Sequence, residues 1–246
     1  TNNLHSDDNQ GYHKRIWSAA PKDNSVVFTL TDADGAMGFP GNKNVQVTYT
    51  VTEDNELQIA YEVTSDKKTL VNMTNHSYFN LAGHDSGSIE AHKLYINASH
   101  YTPVFERLIP TGELADVTGT PFDFRTMKPI GQNIDEDNVQ LGYGQGYDHN
   151  YALDGFDGSI QKAASVEEPV TGRKMDVYTD QPGIQFYAGN CITPQTGKGG
   201  AAYGKRSGLC LETQCFPDAV NQPQFQDVIY GPGRPYKTTT IYKFYN

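Results

Sequence analysis

The chain has 246 residues with 24 Gly and 13 Pro, long enough for one large core, and we expect a single domain over residues 1–246. Its 29 acidic and 19 basic residues give a formal net charge of −10, which repels polyanions and excludes nucleic acid as the expected partner. No apolar run approaches the roughly 18 residues of a membrane-spanning helix, so we also expect no membrane partner.

Short β-rich runs fill the first part of the chain, and no stretch of 12 residues shows sustained helical periodicity. Pairs such as Asp34-Gly35 and Asp54-Asn55 interrupt these runs and are typical of hairpin turns. The pattern predicts strands at residues 25–31, 45–52, 56–64 and 69–75.

The next segment, Val71-Asn-Met-Thr-Asn-His-Ser-Tyr-Phe-Asn-Leu-Ala-Gly83, combines a histidine with amides, hydroxyls and aromatic rings. Period-two spacing places His76, Tyr78 and Asn80 on one face of a predicted strand. Aromatic rings stack on sugars, and amides and hydroxyls satisfy sugar hydroxyl groups. The segment therefore indicates a sugar site, with a core histidine satisfied by its neighbours as the alternative.

Further strands are predicted at residues 93–97, 101–104 and 237–245, and two more around a Pro-Gly turn within residues 175–187. Asp148 and His149 are adjacent, so an extended backbone points them in opposite directions. We expect Asp148 to face a ligand and His149 to be structural. Residues 193–207 are rich in Gly and predict a surface connection.

The run Leu209-Cys-Leu-Glu-Thr-Gln214 alternates so that Cys210 and Glu212 face one way and Leu211 faces the other. A carboxylate in a half-buried strand is costly unless it is paired or directed into a site. Glu212 is therefore a candidate functional residue, with an exposed strand face as the alternative.

Three cysteines, Cys191, Cys210 and Cys215, are too few for a disulfide framework. We expect them to be small buried residues in a reducing, cytoplasmic compartment. The chain shows no zinc-type cysteine pair, phosphate-binding loop or dinucleotide fingerprint, so no metal or cofactor is expected.

Four segments together resemble one known family: Thr74-Asn-His-Ser-Tyr-Phe-Asn-Leu-Ala-Gly83, Gly146-Tyr-Asp-His-Asn150, Gln181-Pro-Gly-Ile-Gln-Phe-Tyr187 and Leu211-Glu-Thr-Gln-Cys-Phe-Pro-Asp-Ala-Val-Asn-Gln-Pro223. Their order is similar to that in the aldose 1-epimerase (galactose mutarotase) family, and the resemblance runs from residue 2 to the C-terminus. It implies an all-β fold, a large twisted antiparallel β-sandwich. It also implies an isomerase that interconverts the α and β anomers of free aldoses such as galactose and glucose.

The resemblance implies roles for individual residues as well. Glu212 matches the general base and His76 the general acid. The reaction implied needs no cofactor, and its partner is a monosaccharide bound to a monomer or homodimer. The positions that match sugar-binding residues are His5, Ser77, Tyr78, Asp148 and Gln185.

Two departures from the family pattern lie near the N-terminus. Family members carry a segment ahead of the motif matched by Asn3-Leu-His5, including an Asn-Arg pair that contacts the sugar, and we expect this sequence to be a fragment without that segment. The family also usually has Gly-Gly where this chain has Ser6-Asp7.

Other functions remain open at this stage. A glycoside hydrolase would pair Glu212 with Asp148 across roughly 5–9.5 Å. A non-catalytic sugar-binding module would use the same aromatic and amide groups. In a third alternative, a metal-binding protein, His5, His76 and Asp148 would be the metal ligands. For the isomerase, reference pKa values of about 4.3 for Glu and about 6.5 for His predict a working pH window between them.

Overall fold

The computed structural model describes residues 3–7 and 9–246. Nearly all regular structure is strand, which confirms the all-β prediction. The strands are β1 (Ser18–Lys22), β2 (Ser25–Asp32), β3 (Lys43–Val51), β4 (Glu56–Ser65), β5 (Thr69–Leu70), β6 (Lys93–Ile96), β7 (His100–Tyr101), β8 (Ala115–Asp116), β9 (Lys128–Pro129), β10 (Asp148–Ala152), β11 (Gln161–Glu167), β12 (Lys174–Thr179), β13 (Gly183–Tyr187), β14 (Gln195–Thr196), β15 (Ala202–Tyr203), β16 (Cys210–Gln214), β17 (Ile229–Tyr230) and β18 (Tyr236–Tyr245).

The helical content is small. The α-helix α1 (Val139–Gly144) begins after Asn138, whose side-chain oxygen accepts hydrogen bonds from the backbone N–H groups of Gln140 and Leu141. Short 3₁₀ turns lie at Tyr12–Lys14, Ala36–Gly38, Ile130–Gln132, Lys198–Gly200 and Ala219–Asn221. Within the described residues, no helix has the length and apolarity needed to cross a bilayer.

The chain divides into two compact units. Unit 1 contains Thr1–Asn72 and Val228–Thr239, and unit 2 contains Met73–Asp227 and Thr240–Asn246. The strand β18 therefore contributes residues to both units. The expectation of one domain stays a prediction.

Unit 1 is an antiparallel meander with the strand order β1-β2-β3-β4-β18. Strand β3 alternates buried and exposed residues from Lys43 to Val47, the pattern of a strand with one covered face. The turn to β4 contains Asn55 at φ +59°, a left-handed conformation that Asn adopts more readily than most residues. The predicted strands at 25–31, 45–52 and 56–64 are thus present within one or two residues.

A buried charge cluster lies in unit 1 around Asp32, at the end of β2. Arg15 approaches Asp32 Oδ1 at 3.1 Å, and Lys43 Nζ lies 3.3 Å from Oδ2. The hydroxyl of Tyr12 donates to the same Oδ2 at 3.2 Å. We refer to Tyr12, Arg15, Asp32 and Lys43 as the Asp32 cluster.

Unit 2 contains two sheets, with the strand orders β18-β12-β11-β6-β9 and β16-β13-β10-β7-β8. Side chains on β18 contact β16, since the Tyr242 hydroxyl donates to the Leu211 carbonyl oxygen at 2.9 Å and Thr240 bonds Thr213. The ring of Phe79 packs on Tyr242 with centroids 5.0 Å apart. The two sheets therefore face each other across a shared core, as in a sandwich.

The predicted Pro-Gly turn at Pro182 connects two strands that do not pair with each other. Strand β12 pairs with β11 and β18, whereas β13 pairs with β10 and β16. The turn carries the chain from one sheet of unit 2 to the other. This crossover places β13 between β16 and β10 in the five-stranded sheet.

Two local predictions are corrected. Only Thr69–Leu70 of the predicted strand 69–75 is a strand, and residues 71–83 form no strand, with a single bridge between Phe79 and Leu209. Cys191 is exposed, unlike the buried Cys210 and Cys215, and none of the three cysteines forms a disulfide. The surface connection predicted at residues 193–207 is mostly exposed and contains the small hairpin β14-β15.

Candidate active site

Three neighbouring strands, β10, β13 and β16, align polar residues in two rows across the five-stranded sheet. Directly opposed residues of antiparallel strands face the same side, and so do residues two apart on one strand. The register therefore gives one surface, whose rows are Asp148, Tyr187 and Cys210, and Asn150, Gln185 and Glu212.

The other face of the same strands is a core. His149, Phe186 and Leu211 have no exposed surface, and the ring of His149 meets Phe122 edge-on at 4.7 Å between centroids. Burial lowers the pKa of His149 to about 3, so this imidazole is neutral. Asp148 and His149 thus point in opposite directions, as the alternation predicts.

The irregular segment of residues 71–83 brings His76 to the polar face. Phe79 and Leu209 exchange two backbone hydrogen bonds, of 2.8 and 2.9 Å, which fix this segment at the start of β16. His76 Nε2 then lies 3.5 Å from Glu212 Oε1. Residues separated by more than 130 positions in the sequence thereby form one pair.

Glu212 is buried in the centre of the site, with its side chain 5% exposed, whereas the side chain of His76 is 33% exposed. Burial raises the pKa of Glu212 to about 8, and the nearby charge of Asp148 adds to the shift. The expected Glu value near 4.3 is therefore wrong for this site. At neutral pH the carboxyl holds a proton for much of the time.

Asp148 and Gln185 form a second polar pair beside Glu212. Gln185 Nε2 donates to Asp148 Oδ1 at 2.8 Å. Burial raises the pKa of Asp148, while the hydrogen bond from Gln185 and the nearby His76 oppose this shift. The buried Gln185 Oε1 and both amide atoms of Asn150 make no hydrogen bond to described residues, so they retain capacity for a polar ligand.

Aromatic rings border the pair of His76 and Glu212. The rings of Tyr78 and Tyr187 lie 5.1 and 6.1 Å from that of His76, and 6.2 Å from each other. Tyr78 is 51% exposed, whereas Tyr187 is buried and its hydroxyl accepts from the N–H of Cys191 at 2.8 Å. Such rings beside polar groups suit a polyhydroxylated ring ligand.

The predicted site residues thus fall into two groups. His76, Tyr78, Asp148, Gln185 and Glu212 are gathered in unit 2, and Ser77, an exposed residue whose N–H bonds Asn75 Oδ1 at 3.1 Å, adjoins them in sequence. His5 belongs to unit 1, where it is exposed with φ +50°, and its assignment stays a prediction.

Three residues of the polar face were not predicted as site residues: Cys210, Tyr187 and Asn150. Each follows from period-two alternation once Glu212, Gln185 and Asp148 are placed, since each lies two positions from one of them. The missing information was which sequence segments pair in the sheet.

One group of possible metal ligands occurs among the described residues, and it consists of His76, Cys210 and Glu212, with ligand atoms within 4.8 Å of one another. It differs from the set of His5, His76 and Asp148 considered above. Cys210 Sγ approaches Nδ1 of the imidazole at 3.3 Å, whereas Glu212 approaches Nε2. The two ligands therefore flank different ring nitrogens, which suits a hydrogen-bonded chain better than a shared ion.

Chemically, the pair offers two proton-exchanging atoms 3.5 Å apart, one oxygen and one nitrogen. Such a pair can remove a proton from one atom of a substrate and deliver a proton to another atom bonded to the same carbon. The surrounding carboxylate, amides and rings can hold a small polar molecule against it.

Comparison with known proteins gives a consistent result. Residues 1–243 match the family model for aldose 1-epimerase. Human galactose mutarotase is 45% identical over 238 residues, which are 96% of this chain and 67% of that protein. Aldose 1-epimerase of Escherichia coli K12 is 40% identical over 238 residues, 96% of this chain and 68% of the relative. The chain thus spans about two thirds of the length of these relatives.

Solved structures agree with the sequence matches. An aldose epimerase homologue from Caenorhabditis elegans superposes with a TM-score of 0.89 at 28% identity, over 99% of this chain and 72% of that one. Galactose 1-epimerase from Lactobacillus acidophilus gives a TM-score of 0.80 at 31% identity, over 94% of this chain and 67% of that one.

Proposed function

Because the chain belongs to the aldose 1-epimerase family, whose members are isomerases, we propose that it interconverts the α and β anomers of free galactose and glucose, with Glu212 as general base and His76 as general acid. The observation that carries the residue assignment is the 3.5 Å approach of His76 Nε2 to Glu212 Oε1 on a polar sheet face.

In the proposed reaction the ionised Glu212 takes the proton of the C1 hydroxyl. The electron pair released forms the C1 carbonyl, the bond from C1 to the ring oxygen breaks, and His76 Nε2 gives its proton to that oxygen. Rotation about C1–C2 presents the other carbonyl face. In the return step Nε2 of His76 removes the proton from the hydroxyl that the ring oxygen has become, and this oxygen attacks C1 to close the ring. Glu212 then returns its proton to the C1 oxygen.

The geometry suits this pairing because the two reacting oxygens are bonded to the same carbon. An acid and a base on opposite sides of a large cleft would not reach both. His76 Nε2 and Glu212 Oε1 are 3.5 Å apart. If the two side chains move slightly apart, each can make a hydrogen bond of ordinary length to one of the two sugar oxygens.

The remaining predicted residues hold the sugar in this proposal. Asp148 and Gln185, already joined by a hydrogen bond, accept and donate to ring hydroxyls, and Tyr78 packs against the apolar side of the pyranose. Ser77 and His5 complete the set of binding residues inferred from the family motifs.

The protonation state of the pair depends on the burial of Glu212. The reacting form carries one proton, on His76, with Glu212 ionised. Since the pKa of Glu212 is raised to about 8, the carboxyl competes with the imidazole for that proton at neutral pH. In return, an ionised Glu212 is a stronger base than an exposed glutamate.

Polarimetry tests the proposal. Fresh α-galactose is mixed with the protein, and the approach of optical rotation to equilibrium is compared with the spontaneous rate. We expect acceleration by the parent and a loss of about 10²–10⁴ in kcat for Glu212→Gln. A Glu212→Gln variant as fast as the parent would refute the assignment. Galactose binding without acceleration by the parent would favour a sugar-binding module, and release of sugar from an aryl glycoside would favour a hydrolase.

A further inference from the structure

The contact of Cys210 with His76 has no role in the mechanism so far. Cys210 is fully buried in β16, two residues before Glu212 and on the same sheet face. Its Sγ lies 3.3 Å from Nδ1 of His76, within hydrogen-bond reach for sulfur, while Glu212 lies at Nε2. The imidazole is therefore held at both nitrogens by residues of one strand.

The sulfur is a neutral thiol. Burial raises the pKa of Cys210 well above its ordinary value, and the nearby carboxylates of Glu212 and Asp148 act in the same direction. A neutral thiol is a weak acceptor and a weak donor, so two arrangements with a neutral imidazole are possible. In one, Nδ1–H donates to sulfur; in the other, S–H donates to Nδ1 and Nε2 carries the ring proton.

The proton balance of the reaction decides between these arrangements. The acid form of His76 carries protons on both nitrogens, and the proton that leaves is the one on Nε2, next to Glu212 and the sugar. The ring that remains is protonated on Nδ1. An acceptor at Nδ1 therefore suits the ring before and after transfer, whereas a donor at Nδ1 suits neither state.

From this geometry we propose that Cys210 is a positioning residue whose sulfur accepts a hydrogen bond from Nδ1–H of His76 and so reserves Nε2 for proton exchange. This inference deepens the proposed function and rests on it for the identity of the reacting nitrogen. A carboxylate at the same position would stabilise the imidazolium and weaken it as an acid. A thiol orients the ring with little such stabilisation.

The tautomer of His76 is measurable without activity. Long-range ¹H–¹⁵N correlation of the imidazole rings, in protein labelled with ¹⁵N-histidine and under conditions in which the His76 ring is neutral, reports which nitrogen carries the proton. The His76 signals are identified by their absence in His76→Gln. We expect the Nδ1–H form in the parent and in Cys210→Ser, whose hydroxyl also accepts. We expect Cys210→Ala to shift toward Nε2–H, which predominates when Nδ1 has no acceptor.

Kinetics provide the second measurement. We expect Cys210→Ala to lose about tenfold in kcat, a part of the acid's contribution, with KM changed less than about threefold. Cys210→Ser restores most of that loss. Cys215→Ala is the matched control, because Cys215 is also a buried thiol and its sulfur donates a hydrogen bond to Gln181 Oε1, and the variant should keep both kcat and the tautomer.

The outcomes separate this inference from the proposed function. An Nε2–H tautomer in the parent, or an unchanged tautomer in Cys210→Ala, would overturn the inference even if the protein is a mutarotase. An Nδ1–H tautomer that depends on residue 210 in a protein without mutarotase activity would instead contradict the proposed function alone. If Cys210→Ala fails to fold, the parent spectrum and Cys210→Ser still decide.

Discussion

Asp32 in unit 1 and Glu212 in unit 2 are equally inaccessible carboxylates in very different surroundings. Asp32 is 0% exposed and Glu212 is 4% exposed. Asp32 meets two cations and a phenolic hydroxyl, all within 3.3 Å. Glu212 has one nitrogen at 3.5 Å, and a second carboxylate, Asp148, near enough to raise its pKa.

The comparison shows that burial alone does not identify a functional carboxylate. A buried charge that is matched by cations is a structural element, since its partners offset the cost of removing it from water. A buried charge with an incomplete set of partners is costly to the fold, and its raised pKa makes it available for proton transfer. The predictions below test this distinction from both sides.

The largest effect is expected from removing either member of the proposed acid–base pair, His76 and Glu212. His76→Gln and Glu212→Gln should each reduce kcat for galactose mutarotation by about 10²–10⁴, because each removes one of two proton-exchanging groups. The double variant should be only slightly worse than either single variant, since the two residues act as one unit. Additive losses, measured by polarimetry after subtraction of the spontaneous rate, would contradict their joint action.

Sequence reasoning named these residues, which the structure gathers on one face, but their roles stay predictions. The motifs contained His76, Asp148, Gln185 and Glu212, and alternation correctly placed His149 on the other face. The sequence could not show that His76 lies on a segment outside the strands, because this depends on the bridge between Phe79 and Leu209. For the same reason the raised pKa of Glu212 was missed, since it depends on burial by residues distant in sequence.

The fold was predicted only in outline, because the sequence shows local alternation but not which distant strands pair. Strands of five to ten residues with local alternation, such as β2 to β4, were located from the sequence within one or two residues. Two-residue strands such as β5 and β7 have too few positions to show a period, so their extents were wrong. Pairing between distant strands, including the crossover at Pro182, has no local signal.

The next largest effect should be a loss of stability when Asp32, the carboxylate matched by cations, is replaced. Asp32→Asn leaves Lys43 and Arg15 without their anion in a buried cluster, and we expect a loss of about 3 kcal/mol in the free energy of unfolding. Urea titration followed by fluorescence measures it. Asp34→Asn is the control, because its ion pair with Lys67 is exposed to solvent and should contribute little to stability. Equal losses of unfolding free energy in Asp32→Asn and Asp34→Asn would contradict the interpretation of Asp32 as a structural carboxylate.

The pH dependence of catalysis tests the role proposed for the Glu212 carboxyl. The reacting form needs one proton on the pair, and that proton is lost as pH rises through the raised pKa of about 8. We expect kcat/KM to fall about tenfold per pH unit above that value. Asp148→Asn removes the like charge, so it should lower the pKa of Glu212 and move the alkaline limb toward neutral pH. A limb that stays in place would show that Asp148 does not act on Glu212.

The smallest effect concerns stability, and its sign should be opposite to that of Asp32→Asn. A glutamate whose folded pKa is raised binds protons more tightly in the folded state, so its contribution to stability falls as pH rises from the ordinary glutamate pKa of 4.5 to about 8. Glu212→Gln removes that penalty, and the variant should match the parent near pH 5 and exceed it by about 1–3 kcal/mol near pH 8. Thermal unfolding at the two pH values measures the difference. A variant less stable than the parent at pH 8 would mean that the carboxylate is matched by partners after all, and that Glu212 resembles Asp32.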